Sequence, residues 1–541
     1  MRNWIWLLFS ITAPVWGEPI YDVVIYGGSS AGVVAAVQAA RMGKSAVLIE
    51  PGKHLGGMTS SGLGWVDIGN PASIGGIAHQ YFHRVWNYYN QEKAWVWEPK
   101  NLHLPNQFDP LPSYSIHIDQ RVMWVLEPHV AEHLFEEFIQ EAHVPVIREE
   151  RLDRNAGVLK EDARIVQITM ESGRSFQGRM FIDATYEGDL MAAAGVSYIV
   201  GRESNSRYGE TMNGIQANTR RGNIPKRLDP YVVKGDPTSG LLPRIYETIG
   251  GVDGEGDNGL PAYNYRMCLT DVPENRIPIE KPEDYEEQEF EIVFRAMKAG
   301  VSKKSFFKLD LIPNRKTDSN NNGPVSTDYV GMSWDYPEAD YETRETIARN
   351  HETWQRGLIW TLQNHPDTPQ KLKDYFASWG LPKDEFADNN HWPYQLYVRE
   401  ARRMIGEEVI TEHTVLKKTI ASDGIGLGSY HLDSHVIKFF VAADGFVMTD
   451  GTLFKKGAGP FPISYRTIIP TREECENLLV PICLSASHVG YSAVRMEPVF
   501  MVLGQSAATA ASLAIDQDVP LQQLPYESLR LRLLADLQIL K

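Results

Sequence analysis

Cysteine is scarce: the 541-residue chain has three, Cys268, Cys475 and Cys483. They form no C-x-x-C pair and no metal-ligand spacing, which excludes a redox dithiol and a thiolate zinc site. Buried small side chains are expected, and spacing alone leaves a Cys475–Cys483 disulfide open in an oxidising compartment. Positive charge is also short, with 53 Lys and Arg against 69 Asp and Glu for a formal net charge of −16. That balance repels phosphate backbones and argues against a nucleic-acid partner. Long apolar runs are few. In MRNWIWLLFSITAPVWG, residues 1–17, Arg2 precedes an apolar run from Trp4 to Ala13 and small residues precede Glu18. This is the layout of a secretory signal peptide, so an exported chain, periplasmic or secreted and beginning near Glu18, is expected. Beyond it no membrane span is predicted.

What is present is an ordinary globular composition, 43% hydrophobic and 23% charged, in a chain long enough for two to four units at about 150 residues each. YDVVIY at residues 21–26 reads as a buried strand that stops at Gly27-Gly28. AGVVAAVQAARMG reads as a helix whose small residues pack closely on a sheet, and SAVLIE at 45–50 as the next strand. The turn Gly27, Gly28, Ser29, Ser30, Ala31, Gly32 has the spacing of G-x-G-x-x-G with Ser29 in the middle slot. In that pattern the first glycine makes the tight turn, the last allows the helix to touch the strand, and a pyrophosphate meets the helix N-terminus. Glu50 ends the second strand 23 residues after Gly27, where a carboxylate can accept hydrogen bonds from an adenosine ribose. The whole unit predicts a dinucleotide fold.

A glycine-studded loop, PGKHLGGMTSSGLGWVD at 51–67, follows the acid directly. With it the chain resembles FAD-dependent oxidoreductases that have a glutathione-reductase-type FAD domain. It is most similar to a family of exported bacterial members with G-G-[ST]-S-A-G in this turn, in which Ser29 is the expected residue. Residues 124–152, RMFIDATYEGDLMAAAGV at 179–196 and the segment 477–515 carry the resemblance along the chain. It implies an α/β, Rossmann-like FAD-binding domain in two parts, residues 18–200 and 466–541, with an inserted α+β substrate or cap region at 201–465. It also implies FAD as cofactor, held by Gly27, Gly28, Ser29, Ser30, Ala31, Gly32, Glu50, Pro51, Gly57, Met58, Leu63, Asp183, Ala184, Asp189, Ser487, Met496, Glu497 and Pro498. Pro498 suits a first helical turn, so a helix should begin there and aim its partial positive charge at the flavin.

Candidates for chemistry follow from what alcohol or amine oxidation needs: a base for the leaving proton and a cation for negative charge. His488 is the expected base, with Tyr491 and Arg495 to orient substrate or stabilise charge. Arg399 and Arg402, three apart on an expected helix with Tyr397 nearby, could grip a carboxylate or hydroxyls, or form salt bridges. TDSNNNGP resembles the start of a calcium loop, but its twelfth position is Tyr329 where a Glu is needed. His431, Asp433 and His435 fall on one side of an extended segment and could line a substrate cavity, bind a metal or form a hydrogen-bonded loop; no metal site is expected. The predicted activity is FAD-dependent oxidation of a small organic substrate, a carbohydrate-derived alcohol being favoured by 13 Trp and 24 Tyr suited to stacking on sugar rings. A polysaccharide lyase or other enzyme with structural FAD, and a non-catalytic flavin binder, are the alternatives. Nothing in the sequence identifies the electron acceptor.

Overall fold

The computed structural model describes residues 19–103, 116–117, 121–217, 224 and 226–541. The expected signal peptide at 1–17 lies outside the described residues. In chain order the elements used below begin with β1 (Ile20–Tyr26), α1 (Ser30–Arg41) and β2 (Ala46–Glu50). Next come α2 (Pro128–Ala142), β3 (Val146–Arg148), β4 (Val158–Glu161), β5 (Arg164–Thr169) and β6 (Ser175–Asp183). They are followed by α3 (Asp189–Ala193), β7 (Met267–Thr270), β8 (Asp310–Ile312), β9 (Lys316–Ser319) and α4 (Tyr341–Asn364). The last are β10 (Leu432–Ser434), β11 (Leu453–Lys455), β12 (Leu478–Leu479) and α5 (Glu497–Gln517).

The main sheet runs β3-β2-β1-β6, with β12 and the β5-β4 pair both on the far side of β6. The pairs β3–β2, β2–β1, β1–β6 and β12–β6 are parallel, whereas β4–β5 and β5–β6 are antiparallel. Val23 to Tyr26 are fully buried, as expected of an interior parallel strand with both faces covered, and this is why that run is apolar without alternation. The parallel strands all present their carboxyl ends to the same edge, where open α/β sheets bind ligands. Gly27, at φ +104°, turns the chain out of β1 there, and a Cβ on it would stand 2.7 Å from the Ala184 backbone.

One face of the sheet carries α1 and α5, which cross in close contact: a Cβ on Gly504 would stand 2.3 Å from the Ala31 carbonyl oxygen. Gln38 also donates to Thr509 Oγ1 at 2.9 Å across this contact. The prediction that no membrane-length run follows the N-terminus meets an exception in α5. Residues 498–515 carry no charge, and α5 is long and apolar enough to cross a membrane, with a mean hydropathy of 1.5. Its apolar window is 94% buried in the fold, so the run serves the core.

Residues 201–465 contain short sheets rather than one large one. Strands β7, β9 and β8 form an antiparallel sheet that places Cys268 opposite Asp318, β10 pairs with β11, and α4 packs nearby. In β9, buried Lys316 is held by Glu127 at 2.8 Å, Asp384 at 2.9 Å and Glu385 at 2.5 Å. Cys268, Cys475 and Cys483 are all buried free thiols, so the Cys475–Cys483 disulfide left open by the sequence does not form.

Candidate functional site

A cavity at the carboxyl edge of the main sheet adjoins a second one beside the start of α5. The first, about 280 Å³, is lined by Gly27, Ser29, Glu50, Pro51, Gly57, Ala184 and Asp189, all foreseen from sequence. His54, Arg151, Tyr186, Tyr341, Arg344 and Tyr394 also line it and were not foreseen. Tyr341, Arg344 and Tyr394 come from stretches that carry no local motif, whereas His54, Arg151 and Tyr186 lie in segments 51–67, 124–152 and 179–196, which carry the resemblance without singling these three out. His54, in the loop after Glu50, is stacked on Tyr394 with ring centroids 3.9 Å apart.

Ser29 fits the middle glycine slot for a local reason. Its Oγ donates to Ala184 O at 2.7 Å and accepts from Gly32 N at 3.3 Å, so the hydroxyl caps α1 and pins it to the end of β6. The residue lines the cavity while its hydroxyl is used by the protein. Glu50 accepts from Gly28 N at 2.6 Å and Gly52 N at 2.5 Å, and burial nevertheless pushes its carboxyl up to about 7. A carboxylate has lone pairs beyond these two amides, so ribose hydroxyls can still donate to it.

Behind the cavity, Glu497 at the start of α5 accepts from Ser30 Oγ at 2.6 Å, Thr59 Oγ1 at 2.9 Å and Tyr186 at 2.8 Å. This ties the N-termini of α1 and α5 together. Burial raises the Glu497 pKa. Pro498 follows it in the first turn of α5. Met58 N donates to Tyr186 Oη at 2.9 Å, and Leu63 N to Met58 O at 3.3 Å. Asp183 accepts from Thr185 N at 3.1 Å and Met191 N at 2.8 Å, holding the turn before α3, and burial lifts its pKa to about 6. Asp189 is bound by Arg344 at 2.6 Å and Arg402 at 2.8 Å. Burial would raise its pKa, but Arg344, Arg402 and Arg154 hold it below the usual range.

The second cavity, about 390 Å³, lies across a wall one residue thick: Tyr265 and Leu396 face the first cavity, Arg266 and Tyr397 the second. Tyr397 N donates to Asn264 O at 2.9 Å, joining the two halves of the wall. That pairing also explains why the expected helix through Arg399 and Arg402 is absent: this stretch runs extended beside Asn264, and the two arginines part. Arg399 reaches Asp328 at 3.0 Å by the second cavity, while Arg402 turns to Asp189 and, at 2.9 Å, Glu338.

Arg495 lines the second cavity as expected, donating to Tyr397 Oη at 2.8 Å and Asp433 O at 2.9 Å. Met496, the N-cap of α5, lines it too, so the positive end of that helix opens there. Arg266 is fixed by Asp318 through Nε at 2.7 Å and Nη2 at 2.5 Å. Asp318, the acid in the first ligand position of the calcium-like run, is thus an ion-pair partner in β9. His435 also faces this cavity, with Nδ1 2.9 Å from Asp328 Oδ2. A carboxylate only accepts, so Nδ1 carries the hydrogen and Nε2 is the acceptor nitrogen. Burial and then the Arg399 charge lower the His435 pKa, keeping the ring neutral at neutral pH. For Asp328, burial would raise the pKa, but Arg399 and His435 hold it down.

His488, Tyr491 and Ser487 line neither cavity. His488 stands behind Ser434, 3.2 Å from its hydroxyl, Ser487 donates to Glu210 at 2.7 Å, and Tyr491 is buried at 2% exposure.

The residues present fit the nucleotide end of a dinucleotide cofactor: a carboxylate at the end of β2, a capped helix N-terminus and a cavity at the ends of parallel strands. The family model described as "FAD dependent oxidoreductase" matches residues 22–533. No curated protein matches the chain. Among solved structures, L-proline dehydrogenase from P. horikoshii is similar at 16% identity and TM-score 0.23, over 35% of this chain and 59% of that one. L-amino acid deaminase from Proteus vulgaris is similar at 14% identity and TM-score 0.23, over 35% and 54%. An anhydrotetracycline hydroxylase from Streptomyces rimosus is similar at 14% identity and TM-score 0.22, over 35% and 36%. The matches thus span between 36% and 59% of the length of these structures, and likeness of that order says nothing of substrate.

Proposed function

Because the chain belongs to the FAD dependent oxidoreductase family, we propose that it oxidises a small polyhydroxylated, carbohydrate-derived alcohol in the second cavity. FAD, its nucleotide end held in the first cavity by the Gly27–Gly32 turn, Glu50 and the paired starts of α1 and α5, would supply the hydride acceptor by reaching past the partition to the second cavity, where the start of α5 opens. The observation that carries the reading is a neutral imidazole, His435, on the wall of the cavity adjoining the nucleotide site and oriented by Asp328. Such a ring is suited to take a hydroxyl proton as its carbon loses hydride. Asp328 then faces a forming imidazolium, which its carboxylate stabilises.

The rest of the lining supports a substrate rich in hydroxyls. Asp67, Asp433 and Asn320 offer acceptors, Arg399 and Arg495 offer donors, and Tyr430 and Phe454 offer ring faces. Within this reading residues 201–465 are the substrate region inserted into a glutathione-reductase-type FAD domain. Export by the general secretory route belongs to it as well, supported by the early Arg2 and the apolar run to Ala13. N-terminal sequencing of the exported chain checks that point.

The test of the oxidation is anaerobic addition of sugars, sugar alcohols, uronic acids and amino acids to the purified flavoprotein while the flavin absorbance is followed. Bleaching by a sugar or polyol is the expected result. Bleaching by amino acids alone would overturn the substrate class.

A further inference from the structure

A second hydrogen-bonded line ends on the same cavity and takes no part in the oxidation just described. Ser434, the last residue of β10, lines the cavity wall. Its Oγ is 3.2 Å from His488 Nε2, and His488 Nδ1 is 2.7 Å from Glu400 Oε2. All three residues are buried, Ser434 and His488 at 3% exposure and Glu400 at 2%. The positions of the protons follow from the acceptors. Glu400, paired with Arg403 at 2.8 Å, accepts from Nδ1, so one imidazole hydrogen sits there and, in the neutral ring, Nε2 is the acceptor nitrogen. Ser434 Oγ has two acceptors in reach, Nε2 at 3.2 Å and the His435 carbonyl at 3.5 Å, and donation to the nearer one, Nε2, is the arrangement that bears on chemistry. The ring is anchored from its backbone as well, where His488 N donates to Glu203 Oε2 at 3.0 Å.

A hydroxyl donating to an oriented imidazole, with a carboxylate behind the ring and a cavity in front, is the arrangement that activates serine for attack on an acyl carbon. A cation is at hand for the oxygen that would gain charge. Arg495 faces the cavity and donates through Nη2 to the carbonyl of Asp433, immediately before Ser434, at 2.9 Å.

We propose that Ser434 is the nucleophile of an ester-cleaving site for O-acylated polyols, with His488 as its base and Glu400 as the positioning residue. Ser434 Oγ bonds to the acyl carbon while its proton passes to His488 Nε2. The bond from that carbon to the leaving alcohol oxygen breaks, and the oxygen takes the proton from His488. Water then attacks the acyl-serine, giving its proton to His488. The carboxylic acid leaves as Ser434 recovers a hydrogen, and no electrons are transferred. The product is a free alcohol, the class that the oxidation reading assigns to this cavity; only the choice of polyol rests on that reading.

The test uses the flavin-loaded protein, a fluorophosphonate probe and p-nitrophenyl acetate, none of which needs the flavin to turn over. One phosphonyl adduct on Ser434, found by peptide mass, and steady release of p-nitrophenol are expected. Ser434→Ala should abolish both while keeping the flavin absorption band, which reports the fold. His488→Gln should slow labelling by about 100-fold or more. No adduct on Ser434 in the yellow wild-type protein overturns the proposal, as does equal labelling of His488→Gln. Labelling of Ser434 without bleaching of the flavin by any polyol supports the nucleophile and removes only the choice of alcohol.

Discussion

Gly504 rests on the carbonyl of Ala31, leaving 2.3 Å between that oxygen and any Cβ placed on the glycine. The two helices meet here just behind the Ser30–Glu497 hydrogen bond of 2.6 Å that joins their first turns. Gly504→Ala therefore has to push the backbones apart. The strain, about 1–3 kcal/mol, offsets the gain in helix propensity. A lower urea midpoint and faster loss of FAD on dialysis are expected for this variant.

Glu50 links pH to cofactor binding. In the FAD-free protein its carboxyl ionises at about 7 because it is buried. Ribose hydroxyls bond better to the carboxylate than to the acid, so FAD affinity should rise as pH climbs through 7 and level off above it. Stability runs the other way. A carboxyl whose folded pKa lies above its unfolded value favours the folded state most at low pH and loses that contribution as pH rises through about 7. Glu50→Gln should flatten this part of both profiles. Fluorescence titration with FAD and urea melts from pH 5 to 9 check the pair.

His435 is neutral at neutral pH because burial and Arg399 lower its pKa. The acidic limb of kcat/KM for the bleaching substrate should therefore lie below about 6.5, the ordinary histidine value. His435→Asn should lower the rate of flavin reduction by about 10²- to 10⁴-fold, with FAD content unchanged. Asp328→Asn removes a charge that favours imidazolium, so its acidic limb should move to still lower pH. Stopped-flow reduction across pH reads both variants.

Lys316, in β9, is the cation shared by Glu127 and Glu385. Lys316→Met leaves two buried carboxylates without it, and the variant should lose about 3–5 kcal/mol of stability at neutral pH. The deficit should shrink on acidification, since protonated carboxyls no longer need the ammonium. Denaturant melts at pH 5 and 7.5 would show it.

The nucleotide half was legible because its chemistry is local. Turn, helix, strand and acid lie within residues 21–50, and Ser29 reads as a cap once Ala184 is placed beside it. The helix starting at Pro498 was read from the sequence, but its uncharged run of membrane length was missed, and its role as a core helix depends on burial that only the fold supplies. The second cavity was hidden, since Arg266 finds Asp318 from 52 residues away and His435 finds Asp328 from 107 residues away. The alternation in HLDSH offered cavity lining for His435 as one of three readings, a hydrogen-bonded loop being the plainest. For His488 the sequence supplied a titratable ring near α5, but not Ser434 standing between it and the cavity. Arg399 and Arg402 failed as a helical pair because backbone pairing with Asn264, not local propensity, shapes their segment.

The single layer of Tyr265–Arg266 and Leu396–Tyr397 has a consequence for anyone wishing to redesign this protein. Each strip of the partition shows one residue to either side, and both strips are fastened by the same Asn264–Tyr397 pairing. A library aimed at substrate choice along this partition would also disturb the chamber next door. Colour would be the cheapest first screen, because colonies that bleach or pale for want of cofactor can be discarded before any assay of selectivity.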